Sequence, residues 1–151
     1  MANETVLIRC RNCGTRNRIP TVKLKDGPRC GRCKAPFPPI ATPNRPVMVT
    51  DRTFADEVLA SPLPVLLECW AAWCSACGAV SPVLDDLAKA YMGRLKIGKL
   101  NVDQNPVTAS RYNVMSLPML LFFKDGKLVD TAAGALPRIE IERHLYRMVA
   151  G

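Results

Sequence analysis

No apolar stretch in this chain of 151 residues reaches the roughly 18 uninterrupted positions that a membrane-spanning helix requires. From Met1 to Arg18 there is neither an apolar core nor a small-residue cleavage site, so no secretory leader is expected and a reducing cytoplasm is the expected setting. A glycine-rich dinucleotide fingerprint is missing, so any nicotinamide chemistry has to come from a separate protein. Histidine occurs once, as His144 in a helical stretch near the C-terminus, where a surface or helix-end position is expected rather than catalysis. Acids are scarce at one end: residues 1–46 hold only Glu4 and Asp26 against ten Lys and Arg, whereas 47–151 balance eleven against eleven. The whole net charge of +8 therefore sits in the first third, which reads as a module with its own job or partner. That third also has a single aromatic residue, Phe37, too few for a nucleic-acid surface built on base stacking.

Against this background stand seven cysteines. In a secreted chain they would read as disulfides; in a cytosolic one they point to metal or redox chemistry. Six fall into CxxC pairs: Cys10/Cys13, Cys30/Cys33 and Cys74/Cys77. The seventh, Cys69, lies in an apolar run and reads as a small buried filler, with a third redox thiol as the competing reading.

Residues 1–40 are rich in Arg, Lys, Gly and Pro and poor in apolar periodicity, so they need a staple to fold. The spacing Cys10-x2-Cys13-x16-Cys30-x2-Cys33 fits a four-cysteine zinc site, with Gly14 and Gly31 suited to the two tight knuckles. Such a site leaves no open position on the ion and is structural. Iron, or two disulfides, are the competing readings. Prolines at 36, 38, 39, 43 and 46 then mark a stiff connector. The expected layout is a zinc-ribbon-like module at 1–40, a Pro-rich linker at 41–46 and a second domain at 47–151.

From residue 47 strands and helices alternate. Strands are expected at 47–50, 64–70, 95–102, 118–124 and 127–132, the last two joined by a tight Asp125-Gly126 turn. Helices are expected at 51–59, capped by Thr50 or Asp51, after Cys74 with Val80, Leu84, Leu87 and Tyr91 inward, after Pro106, and at 137–149 with Ile141, Leu145, Met148 and Val149 inward. Pro82 should kink the second helix. The order β-α-β-α-β-α-β-β-α predicts an α/β domain with helices on both faces of a mixed sheet.

Trp73-Cys74-Ser75-Ala76-Cys77 follows the apolar strand directly. A cysteine at a strand-to-helix turn has its thiolate stabilised by unpaired backbone N–H groups and the helix dipole, and the thiolate is the attacking species. Cys74 is the expected nucleophile, and Cys77, one turn further in, the resolving thiol. Glu68, a carboxylate inside an apolar strand, is a candidate proton relay with Lys99 on the next strand as a candidate partner, a role that rests mainly on the resemblance given below; a solvated position at a strand edge is the competing reading.

Residues 47–151 resemble a thioredoxin. The resemblance rests on Trp70-Ala71-Ala72-Trp73-Cys74-Ser75-Ala76-Cys77, Pro82, Lys99-Leu100-Asn101-Val102-Asp103-Gln104-Asn105-Pro106, Ser116-Leu117-Pro118 and Gly134-Ala135-Leu136. It implies the thioredoxin fold and protein-disulfide reductase activity, with re-reduction by a thioredoxin reductase that uses NADPH. It also implies a cis Pro118 packed against the disulfide, a substrate contact through the Leu117 backbone, and a groove lined by Trp73, Gly134 and Ala135. Together with the amino-terminal cysteines and Asn17-Arg18-Ile19-Pro20, the chain is most similar to the bacterial zinc-containing thioredoxin 2 subgroup. The expected partners are the reductase and disulfide-containing proteins, the expected state is a monomer, and the redox pair and structural Zn²⁺ are the only cofactors expected. Four departures matter: Cys69 stands where the family usually has phenylalanine, Met119 follows Pro118 where threonine is common, and two more concern the redox pair and its carboxyl. Ser75-Ala76 replaces the family's usual Gly-Pro, freeing a backbone N–H that should favour the Cys74 thiolate and make the disulfide more oxidising, and Glu68 replaces a shorter aspartate. Two other readings compete: a basic zinc module that binds nucleic acid or protein, and a redox or zinc sensor.

Overall fold

The computed structural model describes residues 4–37, 40 and 43–149. Pro38, Pro39 and the first two positions of the expected 41–46 linker lie outside the described residues.

Strands β1 (Thr5–Arg9) and β2 (Arg16–Pro20) form an antiparallel pair, followed by a 3₁₀ helix at Thr21–Asp26. The remaining elements are β3 (Val47–Met48), β4 (Val65–Trp70), α1 (Cys77–Ala90), β5 (Lys96–Asn101), α2 (Pro106–Arg111), β6 (Met119–Lys124), β7 (Lys127–Ala133) and α3 (Arg138–Val149). They make a five-stranded sheet of order β3-β5-β4-β6-β7, in which β3, β5 and β4 are parallel and β6 and β7 run antiparallel.

The period of two along β4 divides its side chains between two apolar layers. Leu66 joins Ile97, Leu120 and Phe122 under Val80, Leu84 and Leu87 of α1 and Ile141, Leu145 and Met148 of α3. Val65, Leu67 and Cys69 join Leu100, Leu121 and Phe123 on the other face, under Phe54 and Val58. Coverage of both faces explains why residues 64–70 read as one continuous apolar run. Pro106 opens α2 at its first turn, and the Asp125-Gly126 turn has positive φ at both residues, 54° and 77°. At the edges, β3 has only two residues, and β7 meets β6 through a register shift at Phe122/Phe123.

The expected helix at 51–59 is irregular. Thr50 Oγ1 accepts from Thr53 N–H at 3.2 Å within a turn at 51–53, the helix that follows has no side-chain cap, and residues Ala55–Leu59 widen into a π turn closed by Ala60 N–H on the Ala55 carbonyl at 2.8 Å. Asp51 does not cap this helix. Its carboxylate accepts from Val107 N–H (3.1 Å) and Thr108 N–H (2.8 Å) and so caps α2, and its own N–H donates to Asn105 Oδ1 at 2.8 Å. A cap drawn from 56 residues away cannot be read from local spacing.

Residues 1–40 also hold more apolar order than their composition predicts. Val6 and Ile8 on β1, Ile19 on β2, Leu24, Phe37 and Ile40 form a small buried cluster with Leu63 from the segment before β4. Arg16 pairs with Asp125 at 2.8 Å, Arg11 donates to the Ala60 carbonyl, and Arg94 lies 3.6 Å from Glu4. Ala60 and Leu63 precede β4, Arg94 follows α1 and Asp125 follows β6. The β1–β2 unit therefore docks at the end of the main sheet opposite the β4-to-α1 turn.

Gly98 sits in β5 between β3 and β4, where an added Cβ would lie 2.9 Å from Val49 Cγ2 and 3.1 Å from Leu67 Cδ1. Gly98→Ala is expected to cost about 1–3 kcal/mol by overpacking, measured as a lower urea midpoint with an unchanged slope.

Candidate active site

The three residues after β4 carry the chain to Cys74, and α1 begins at Cys77. The two cysteines form a disulfide with Cα atoms 5.5 Å apart. Cys77 is buried beneath the helix start at 6% exposure, whereas Cys74 is only half-buried, so incoming reagents meet Cys74 first. Cys77 N–H donates to Cys74 Sγ at 3.2 Å, which places a helix N-terminal donor on that sulfur. Among the described residues the N–H freed at Ala76 makes no such bond; the donor is that of Cys77, present whether or not a proline precedes it.

Behind the disulfide lies a cavity of about 360 Å³ lined by Glu68, Cys74, Cys77, Ser81 and Lys99, among others. Glu68 is 2% exposed, and its Oε2 is buried with no hydrogen-bond partner. Burial pushes its carboxyl up to about 7; Lys99 draws it down and Asp85 pushes it further up. Lys99 faces Glu68 across the β4–β5 register, as the sequence suggests, but its ammonium donates to Ser81 Oγ at 2.6 Å rather than to the carboxylate. Its influence on Glu68 is through space. Ser81, four residues after Cys77 on α1, went unselected in the sequence, although the i, i+4 spacing was a signal that it shares the face of Cys77.

The register row Cys69–Met119–Ala133 gathers the other predicted residues at this same end of the sheet. The Leu117–Pro118 peptide is cis, and the Pro118 carbonyl accepts from Gly134 N–H at 2.9 Å. Gly134 has φ of 96°, a conformation that favours glycine. Ala135 is exposed and Leu117 half-buried. Trp73 is 69% exposed, with its indole N–H on Asp103 Oδ2 at 3.0 Å. Asp103, which holds the Trp73 indole, is an addition that the sequence did not single out. Cys69 is fully buried, its thiol pushed up to about 12 by burial and then by Glu68, which suits packing. His144 is half-buried in the middle of α3, not at a helix end, stacked on Phe122 with its ring nitrogen on Asp130.

A second centre lies in the amino-terminal unit. The sulfurs of Cys10, Cys13, Cys30 and Cys33 all lie within 4.8 Å of one another, with Cys10–Cys33 at 3.7 Å and Cys13–Cys30 at 3.6 Å. Four thiolates about 2.3 Å from a tetrahedral ion stand roughly 3.8 Å apart, so the cluster has the dimensions of a four-sulfur metal site. Asn17 accepts from Gly31 N–H at 2.9 Å and donates to Cys30 Sγ at 3.5 Å, and Asn12 donates to Cys33 Sγ at 3.4 Å. Backbone N–H of Cys33, opposed by burial and aided by Asn17 and Arg32, brings the Cys30 thiol down to about 5, the ionisation state that a metal ligand needs.

The raised carboxyl of Glu68 has a thermodynamic consequence. Between about pH 4.5 and 7 the folded chain holds a proton that the unfolded chain has released, so stability falls as pH rises through this window. Glu68→Gln removes the dependence. In urea melts of the oxidised protein the variant should exceed wild type by up to about 3 kcal/mol at pH 8, with the gap closing at pH 4.

Comparison with known proteins follows the same division of the chain. A family model described as thioredoxin matches residues 45–147, and a zinc-ribbon model described as thioredoxin 2, N-terminal, matches residues 9–35. The chain is 47% identical over 97 residues to thioredoxin 1 of Synechococcus elongatus, covering 64% of this chain and 91% of that protein. It is 43% identical over 99 residues to a thioredoxin of Pseudomonas aeruginosa, covering 66% and 92%. Among the described residues no helix is long and apolar enough to cross a membrane. The fold, the disulfide at the start of α1 and both family matches converge: this chain belongs to the thioredoxin family, in the subgroup with an amino-terminal zinc ribbon, and is a thiol–disulfide oxidoreductase.

Proposed function

We propose that the chain reduces disulfides in other proteins, with Cys74 as nucleophile and Cys77 as resolving thiol. The Cys74 thiolate attacks one sulfur of a client disulfide, and the other client sulfur leaves as a thiolate that takes up a proton. Cys77 then gives its proton to Glu68 and attacks Cys74 Sγ. The mixed disulfide breaks, the second client thiol leaves, and two electrons have passed to the client as Cys74–Cys77 closes. A thioredoxin reductase drawing on NADPH restores the dithiol. The observation that carries this reading is the asymmetry of the pair: an accessible sulfur and a buried one, with a carboxyl raised to about 7 in the same cavity. A base of that strength is matched to proton transfer near neutrality.

Trp73, the Leu117 backbone beside Pro118, Gly134 and Ala135 form the client groove in this reading, and Lys99 tunes Glu68. Cys10, Cys13, Cys30 and Cys33 hold one Zn²⁺, which ties the two knuckles together and takes no part in the redox steps. The proposed organisation is a ribbon at 1–40, a linker at 41–46 and a catalytic domain at 47–151, acting as a cytoplasmic monomer.

Insulin reduction with NADPH and thioredoxin reductase, with zinc measured in each sample, tests both halves. Cys74→Ser should fall to the uncatalysed background while keeping its metal; turnover in that variant ends the redox assignment. The Cys10→Ser/Cys13→Ser protein should go from one ion per chain to none and melt at a lower temperature. Full zinc retention there ends the metal assignment.

A further inference from the structure

Glu68 and Lys99 face each other across the parallel β4–β5 register, so their side chains leave the sheet on the same side. Adjacent strands lie about 4.8 Å apart, which puts a lysine ammonium within easy reach of a neighbouring carboxylate. Yet Lys99 Nζ donates to Ser81 Oγ at 2.6 Å, and Glu68 Oε2 stays buried without a partner. Ser81 projects from α1 one turn beyond Cys77 and lines the same cavity as both of them and the disulfide. A hydroxyl oxygen has two lone pairs and can accept from an ammonium while its own proton points elsewhere.

We propose that Ser81 is a positioning residue, whose hydroxyl holds the Lys99 ammonium away from Glu68 and so keeps that carboxyl basic enough to take the proton of Cys77. The proposal rests on the relay role of Glu68 given above. One cation has two acceptors within reach. In contact with the carboxylate, it would stabilise the charged form and leave a weak base. Held by Ser81, it acts only through space, and burial dominates the carboxyl. The charged groups that act on Glu68 are Lys99 from β5 and Asp85 from α1, with opposite effects. From β6 the facing residue is Leu120, which carries no charge; on β4 the neighbouring titratable group is the Cys69 thiol, and Cys77 on α1 is tied up in the disulfide. Of these, Lys99 is the group that the Ser81 hydroxyl holds.

The test follows the Glu68 carboxyl directly by carbon-13 NMR titration of the full-length oxidised protein, in wild type, Ser81→Ala and Ser81→Thr, beside the pH profile of insulin reduction. Ser81→Ala should lower the carboxyl midpoint by about 1 unit or more as Lys99 moves onto the carboxylate. The acid limb of the activity profile should shift down with it, and the plateau should fall. Ser81→Thr, which keeps the hydroxyl, should hold both near wild type. An unchanged midpoint in Ser81→Ala, or an equal shift in Ser81→Thr, overturns the proposal. Glu68→Gln separates the two layers. If its acid limb persists unmoved, the relay reading falls and Ser81 loses its catalytic meaning; the carboxyl midpoint still reports, independently, whether Ser81 restrains Lys99.

Discussion

Burying both faces of β4 sends Leu66 into one apolar layer and Val65, Leu67 and Cys69 into the other, and leaves Glu68 at the polar end of the first layer. An ionised carboxylate there would forfeit its hydration with no hydrogen bond to replace it, so the group keeps its proton towards neutrality. The remaining parts of the site are arranged around that constraint. α1 starts with a cysteine whose sulfur faces the same cavity, and β5 supplies the nearest cation. The helix N-terminus adds an N–H to the outer sulfur. Among the described residues the other buried strand positions are apolar, so Glu68 is the costly one to bury, and it lies directly behind the disulfide.

Much of this was legible in the chain because the signals are local. The continuous apolar run before Trp73 and the Val80, Leu84, Leu87 spacing define β4 and α1, and Asp125-Gly126 defines the β6–β7 turn. The two CxxC pairs with knuckle glycines define the sulfur cluster. What escaped depends on distant partners. Asp51 has the composition of a local cap but serves a helix more than fifty residues away. The placing of Lys99 beside Glu68 on the next strand holds for the backbone but is incomplete for the ammonium, because Ser81 on another element binds it. Val6, Ile8 and Ile19 lie on strands too short for periodicity to show, and Leu63 from beyond the ribbon completes their cluster.

Among the described residues, the contacts that join the amino-terminal unit to the main sheet include apolar packing at Leu63 and polar contacts at Ala60, Arg94 and Asp125. All four lie at the far end of the sheet from Cys74. Exposed ion pairs of this kind contribute little each, so Leu63 and the apolar cluster carry most of the adhesion. The sulfur cluster thus organises a surface that is spatially separate from the redox chemistry, and the concentration of positive charge in that third of the chain falls on this separate surface.

The edges of the sheet have a consequence of their own. At one side β3 offers two residues of backbone, too little to template another strand. At the other, the register shift between β6 and β7 bends the ladder, and Lys127 and Asp130 place charge along it. Short, bent or charged borders resist edge-to-edge stacking between copies. Both borders of the main sheet are guarded in this way, so the sheet is poorly suited to growing by addition of a strand from another copy.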